Sequence, residues 1–327
     1  MTILAEPRTA TGLRPRFEGA NIRTWVGFKH FMYLAEEAVL DWFRARGAGP
    51  SRLFHDHGLA LSIVDSSVQL PASLDLDDVV DSEVTGGPAR FTVRLSTRGT
   101  TVLRGTLRVV LASAGEPAAE AIHAPMPPAL APSPPAPASL PLELAAAAVR
   151  IADAAGGERC DLVATPGPNP VAGTAADRPG ACVWSWRVPY YLCQFSRHIQ
   201  HSGYVRVLED AVEKFLAARG LSVRTMLDER GWIPVVSRAR VTQLGDVAME
   251  ETVHTVFAVD HVLRDVGFDG RMDCYVQRGA TLEHVATARI LHAYAIARGP
   301  RAGTVARLDA ATVAALTGDG FDGRARP

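Results

Sequence analysis

The sequence predicts an α+β protein built as two copies of one module, and three observations carry that prediction. Shifted by 173 residues the chain lies over itself, each copy holds one long amphipathic helix, and each helix is followed by segments that read as strands. Thr24 to Val39 falls on Arg197 to Val212 without a gap, and the same offset pairs Arg46-Gly47 with Arg219-Gly220, Gly58 with Gly231 and Val68 with Val241. A period of this size is a whole domain and not a short solenoid unit.

In chain order, each copy opens with a leading strand and a loop. The helix of the second copy carries Tyr204, Val207, Leu208, Ala211, Val212 and Phe215 at helical spacing, and that of the first carries Phe31, Leu34, Ala35, Ala38, Val39 and Trp42 at the matching positions. Arg46-Gly47 and Arg219-Gly220 supply a cation in the last turn and a glycine stop. His55-Asp56-His57, which faces Asp228-Glu229-Arg230 in the repeat, reads as a polar loop between helix and strand. Strands are expected over Leu59 to Leu70, Ala89 to Leu95 and Val102 to Leu111 in the first copy. In the second they are expected over Ile233 to Gln243, Glu251 to Val259, Met272 to Gln277 and Glu283 to Ala295. Arg98-Gly99-Thr100 and Arg278-Gly279-Ala280 read as the turns before the last strand of each copy.

Ala and Pro dominate from Ala112 to Pro141, which favours extended polyproline geometry and marks a linker. Leu142 to Ala155 has helical spacing, Leu308 to Leu316 reads as a small helix, and the residues beyond it as a frayed end. The expected division is residues 1–113 for the first module, 114–156 for the linker, 157–307 for the second module and 308–327 for the tail.

Composition limits the partners. The chain has 327 residues, a formal net charge of -1 and no run of Lys or Arg, so it lacks the basic footprint of a nucleic-acid or anionic-membrane binder. A small neutral or acyl substrate fits better. Lysine occurs only at Lys29 and Lys214 amid abundant arginine and alanine, the composition of a GC-rich bacterial source. No apolar stretch of spanning length and no signal-like h-region occurs, and a cytoplasmic protein is expected. Cys160, Cys182, Cys193 and Cys274 lack CxxC spacing and are expected as free thiols.

The motif ahead of the second helix is the most specific feature. Arg197-His198-Ile199-Gln200-His201-Ser202-Gly203-Tyr204 leads to Val205-Arg206-Val207-Leu208-Glu209. This resembles the acyl-CoA and acyl-carrier-protein thioesterase branch of the hotdog superfamily, in which a His-containing loop precedes a tyrosine opening the central helix and a glutamate follows. The resemblance implies a double hotdog, two long helices each wrapped by a twisted antiparallel sheet, acting on acyl-coenzyme A or acyl-carrier-protein thioesters. It implies no cofactor, and because a fused pair supplies what such proteins obtain by dimerising, a monomer of the fused pair or a homodimer. The family's usual catalytic aspartate falls near Gln194, with Asn21 at the equivalent place in the first copy. An amide cannot act as base or nucleophile, but it can position water or donate to a carbonyl.

His198 and His201 are candidate general acids or bases, since imidazole titrates near neutral pH. With no third ligand at a recognisable spacing they are not read as a metal site. Glu209 is a candidate proton-transfer group whose counterpart is Glu36, and Tyr204 packs or reacts at the helix start. Gly203 either admits the substrate against the backbone or relieves crowding, and Arg197 lies on the same loop. The helix N-terminus would present N–H groups to a thioester carbonyl. In the first copy Trp25, Phe28 and Phe31 replace His198, His201 and Tyr204, so that loop is expected to shape an acyl pocket. His30 and the pair Glu36-Glu37 keep the reverse assignment open. Thioester hydrolysis is the leading expectation. Dehydration, hydration or cyclisation of a tethered chain is the second, and non-catalytic acyl binding the third.

Overall fold

The computed structural model of the chain describes residues 7–87, 89–113, 161–162, 180–193, 197–279 and 281–318. They fall into two compact units. Unit 1 comprises Met1–Leu142 together with Tyr191–Gly203, and unit 2 comprises Glu143–Tyr190 and Tyr204–Pro327.

Unit 1 contains β1 (Arg8–Leu13), α1 (Phe28–Arg44), α2 (Pro50–His57), β2 (Leu59–Gln69), β3 (Val80–Gly87), β4 (Arg90–Thr97) and β5 (Thr100–Ser113). The strands pair antiparallel in the order β1-β3-β4-β5-β2. α1 buries Phe28, Phe31, Leu34, Ala35, Ala38, Val39 and Trp42, the stripe that the spacing predicts. Trp42 meets Phe91 of β4 edge-on, with centroids 4.9 Å apart, so helix and sheet share one aromatic core.

Unit 2 contains β6 (Asp161–Leu162), β7 (Cys182–Arg187), most of α3 (His201–Ala218), α4 (Val223–Arg230), β8 (Trp232–Gln243), β9 (Thr252–Leu263), β10 (Gly267–Arg278), β11 (Thr281–Ile296) and α5 (Ala310–Thr317). Its strands pair antiparallel in the order β8-β11-β10-β9-β7-β6. Tyr204, Val207, Leu208, Ala211, Val212 and Phe215 of α3 are all buried, and Phe215 lies 5.1 Å from Phe257 of β9.

The offset that carries Phe28 onto His201 holds through local geometry. α2 and α4 coincide position for position and end on Gly58 and Gly231, at φ 62° and 64°, the left-handed cap that glycine adopts without a Cβ penalty. Arg46 stacks on Trp42 at 3.8 Å and Arg219 on Phe215 at 4.3 Å, each one turn back along its helix. β2 and β8 each carry a bulge against their neighbour, at Val64 between Ile63 and Asp65 and at Ser237 between Val236 and Arg238.

Three expectations are corrected. His55-Asp56-His57 closes helix α2 instead of forming a loop; Leu53 is its one fully buried side chain, with Phe54 half-buried beside it, so α2 is too short for periodicity to reveal, although Pro at its start and Gly58 at its end mark its limits. β3 has no counterpart among the expected strands, because Val80, Ser82 and Val84 alternate with polar residues over only a short stretch. Cys182 is disulfide-bonded, whereas Cys193 and Cys274 are buried thiols; local spacing is blind to cysteines that the fold brings together. Arg98 and Gly99, at φ 48° and 77°, make the two-residue turn between β4 and β5 that the sequence places there. The linker and the Leu142–Ala155 helix lie outside the described residues. No helix among the described residues is long and apolar enough to cross a membrane.

Candidate active site

The loop ahead of α3 is built like the loop ahead of α1. Cys193 bridges Ile199 as Ala20 bridges Val26. Gln200 N–H donates to Leu192 O at 3.1 Å as Gly27 N–H donates to Gly19 O at 2.9 Å. Each loop is thereby closed on itself and delivers a fixed residue to the first helical position, His201 in one copy and Phe28 in the other.

His201 belongs to unit 1, where it meets two side chains of the first copy. Its Nε2 lies 2.7 Å from Ser66 Oγ on β2, and its Nδ1 lies 3.6 Å from Glu36 Oε2 on α1. The His201 side chain is 3% exposed and that of Glu36 18%, while Ser66 is 1% exposed. A carboxylate facing Nδ1 favours the tautomer with its proton on Nδ1, which leaves Nε2 as an acceptor. In that tautomer Ser66 O–H donates to Nε2, giving a hydroxyl, imidazole and carboxylate relay in which Glu36 Oε2 faces Nδ1 at 3.6 Å without a hydrogen bond to it. The bulge at Val64 aims the hydroxyl: Ile63 and Ser66 are both buried although an unbroken strand would send residues three apart to opposite faces.

The structure brings together His201 from the predicted set, with Glu36, noted as the counterpart of Glu209 and in the pair Glu36-Glu37, and Ser66, which sequence reasoning missed. Glu209 lies eight residues along the same helix as His201, about 12 Å of rise, so it cannot be that histidine's carboxylate. His198 is half-buried on the loop and outside the relay. Arg197 is exposed in the left-handed region at φ 63°. Tyr204 is buried in the helix. Gly203 has a packing reason: a Cβ there would meet Leu192 O and Ile199 Cγ2 at 2.9 Å. Asn21 Oδ1 accepts Ile22 N–H at 2.8 Å within its own loop. Gln194 lies outside the described residues. Phe28 and Phe31 are core side chains of unit 1, Trp25 sits under the Arg23 guanidinium at 5.0 Å, and His30 packs edge-on to Tyr33 at 5.2 Å.

The repeat supplies the signal that would have found Ser66. At the offset of 173, His201 corresponds to Phe28 and Ser66 to Ala239, and all four are buried. A buried hydroxyl whose repeat mate is a buried methyl is a polar group placed for something. The carboxylate is present in both copies, as Glu36 and Glu209.

Among the described residues no group of three or more His, Cys, Asp and Glu side chains could hold a metal ion. Residues 188–315 match the family model of the thioesterase-like superfamily. Among solved structures, the chain is similar to a Lactobacillus plantarum protein assigned as an oleoyl thioesterase, with TM-score 0.54 and 14% identity over 88% of this chain and 96% of that one. The 12:0-ACP thioesterase of Umbellularia californica gives TM-score 0.53 and 11% identity over 89% and 94%. An acyl-ACP thioesterase of Bacteroides thetaiotaomicron gives 0.50 and 10% over 88% and 97%. No curated protein matches the chain. At these identities what is shared is the fold: the chain is a double hotdog, two long helices each with its own antiparallel sheet, and resembles the acyl-CoA and acyl-ACP thioesterase branch.

Proposed function

We propose that this double hotdog hydrolyses acyl thioesters, with coenzyme A or an acyl carrier protein as the leaving group, in bacterial lipid or polyketide metabolism. The observation that carries the reading is the buried Glu36–His201–Ser66 relay at the start of α3. His201 Nε2 is the proton acceptor during attack on the thioester carbonyl, and the imidazolium then protonates the departing thiolate. Glu36, whose carboxylate faces Nδ1 at 3.6 Å, stabilises the cation that forms, a stronger effect where little solvent screens the pair. The N-terminus of α3, an 18-residue helix beginning at His201, offers its positive end to the carbonyl oxygen as negative charge develops there.

A panel of acyl-coenzyme A and acyl-pantetheine thioesters of different chain length tests this. The wild type should release free thiol, and His201→Ala should lower kcat/KM by about 10²–10⁴-fold, the usual range for a lost general base. Equal turnover by wild type and His201→Ala would sink the proposal.

The same histidine and carboxylate could instead move a proton between Cα and a β-hydroxyl, the step a dehydratase needs, and an amide in place of an aspartate at Gln194 favours keeping that reading. Loss of water from a β-hydroxyacyl thioester with the thioester intact would select it over hydrolysis.

A further inference from the structure

We propose that Ser66 is a covalent nucleophile, carrying the acyl group as a serine ester before water releases it; the inference rests on the hydrolase reading above. Three observations lead to it. The first is proximity: Ser66 Oγ lies 2.7 Å from His201 Nε2, and with the ring proton on Nδ1, the side that Glu36 Oε2 faces at 3.6 Å, the hydroxyl donates to a base, the arrangement that activates a serine. The second is burial. Ser66 is 1% exposed, and since the same bulge in β8 presents the buried methyl of Ala239 at the matching position, the hydroxyl is a feature of this copy and not of the shared backbone.

The third is coupled loss. In the other register of the duplication histidine is replaced by Phe28 and serine by Ala239, while the carboxylate persists as Glu209. A base that activated only water would have no reason to disappear together with this particular hydroxyl. Serine and histidine are present together or absent together, as a nucleophile and its base must be.

In the first half of the reaction Ser66 Oγ forms a bond to the thioester carbon as its proton passes to His201 Nε2. The carbon–sulfur bond breaks, and the thiolate takes the proton from the imidazolium and leaves as thiol. In the second half a water adds to the ester carbon, giving its proton to Nε2. The Ser66 oxygen then departs with that proton, releasing a carboxylic acid and restoring the relay. No oxidant, metal or further reactant enters either half.

Two measurements decide it. A fluorophosphonate probe with peptide mapping should label Ser66 in the wild type and not in His201→Ala or Ser66→Ala; no label at Ser66 overturns the proposal whether or not any thioester is turned over. With a thioester that is hydrolysed, added methanol should divert product to methyl ester in the same ratio from coenzyme A and pantetheine donors, since both pass through one ester. Ser66→Ala should lose on the order of 10³-fold or more in kcat, and Ser66→Cys should accumulate a detectable thioester adduct by intact mass. Thioester hydrolysis that survives Ser66→Ala near the wild-type rate, or donor-dependent partition, makes Ser66 a positioning residue for His201 and overturns its nucleophilic role while leaving the hydrolase reading standing. Failure to hydrolyse any thioester removes that reading instead, with the label at Ser66 still deciding the nucleophile.

Discussion

Position 19 and position 30 of the first copy correspond to 192 and 203 of the second, and the two copies solve one packing problem in opposite ways. Gly19 leaves room for the ring of His30, whose Cγ lies 2.7 Å from where a Cβ on Gly19 would stand; Gly203 leaves room for Leu192. One large and one small side chain fill the space between loop and helix, and which position is large has been exchanged. The consequence is a measurable coupling. Gly19→Ala should cost about 1–3 kcal/mol through overpacking, and much less in a His30→Gly background, since the three nearest atoms to its Cβ, at 2.7–3.0 Å, belong to that ring. Gly203→Ala has no such escape, because Leu192 O is backbone, and it should destabilise in either context. Denaturant midpoints for the four members of the Gly19/His30 cycle give the coupling, and additive costs would refute the exchange. The same pair shows why Gly203 needs no substrate to explain it.

Strand β2 shows how one element converts sequence into a site. Leu61 and Ile63 before the bulge and Ser66 and Val68 after it are all buried, which strict alternation forbids. Deleting Val64 leaves Ile63 and Ser66 two residues apart, so an unbroken strand keeps Leu61, Ile63, Ser66 and Val68 on one face without the bulge. We expect the deletion variant to keep Ser66 on the buried face and to retain turnover well above that of Ser66→Ala, and a deletion variant as inactive as Ser66→Ala would show that the bulge sets the hydroxyl's position as well as its face. Much of this element was readable: its start, its end and its place in the repeat follow from the offset and from Gly58. Its bulge and its serine were not, since a bulge is a relation to the partner strand β5 and leaves no mark in the strand's own residues. The helices tell the same story. Their buried stripes follow from periodicity, but the carboxylate opposite His201 comes from α1 because the loop Tyr191–Gly203 packs within unit 1, a tertiary fact that helical spacing does not encode. Glu209 was the nearer candidate in sequence and is about 12 Å up its own helix from that histidine.

Across the whole molecule the two copies keep one fold and differ in where they tolerate polarity, so each buried polar group with an apolar repeat mate marks a departure with a cost or a use. His201 and Ser66 have a use. His292 shows a cost. On β11 it pairs with Val236, and the corresponding pair in the first copy is Val109 with Ile63. His292 is fully buried, stacked on Phe268 at 4.7 Å and edge-on to Tyr294 at 5.3 Å, and its Nδ1 has no hydrogen-bond partner. Burial holds its imidazole down to about 3, from an ordinary value of 6.5. The folded state therefore keeps His292 neutral over a range in which the unfolded chain takes up a proton, and stability falls as pH drops below 6.5 and continues to fall towards 3. At pH 5 the loss amounts to about 2 kcal/mol relative to neutral pH. Exchanging His292 for the valine that the first copy uses should remove that slope, leaving the smaller contribution of His254, which burial lowers in the same direction. Urea unfolding of wild type and His292→Val at pH 7, 6 and 5 measures the difference. If the variant loses as much stability on acidification as the wild type, the buried imidazole is not what makes the second copy acid-sensitive.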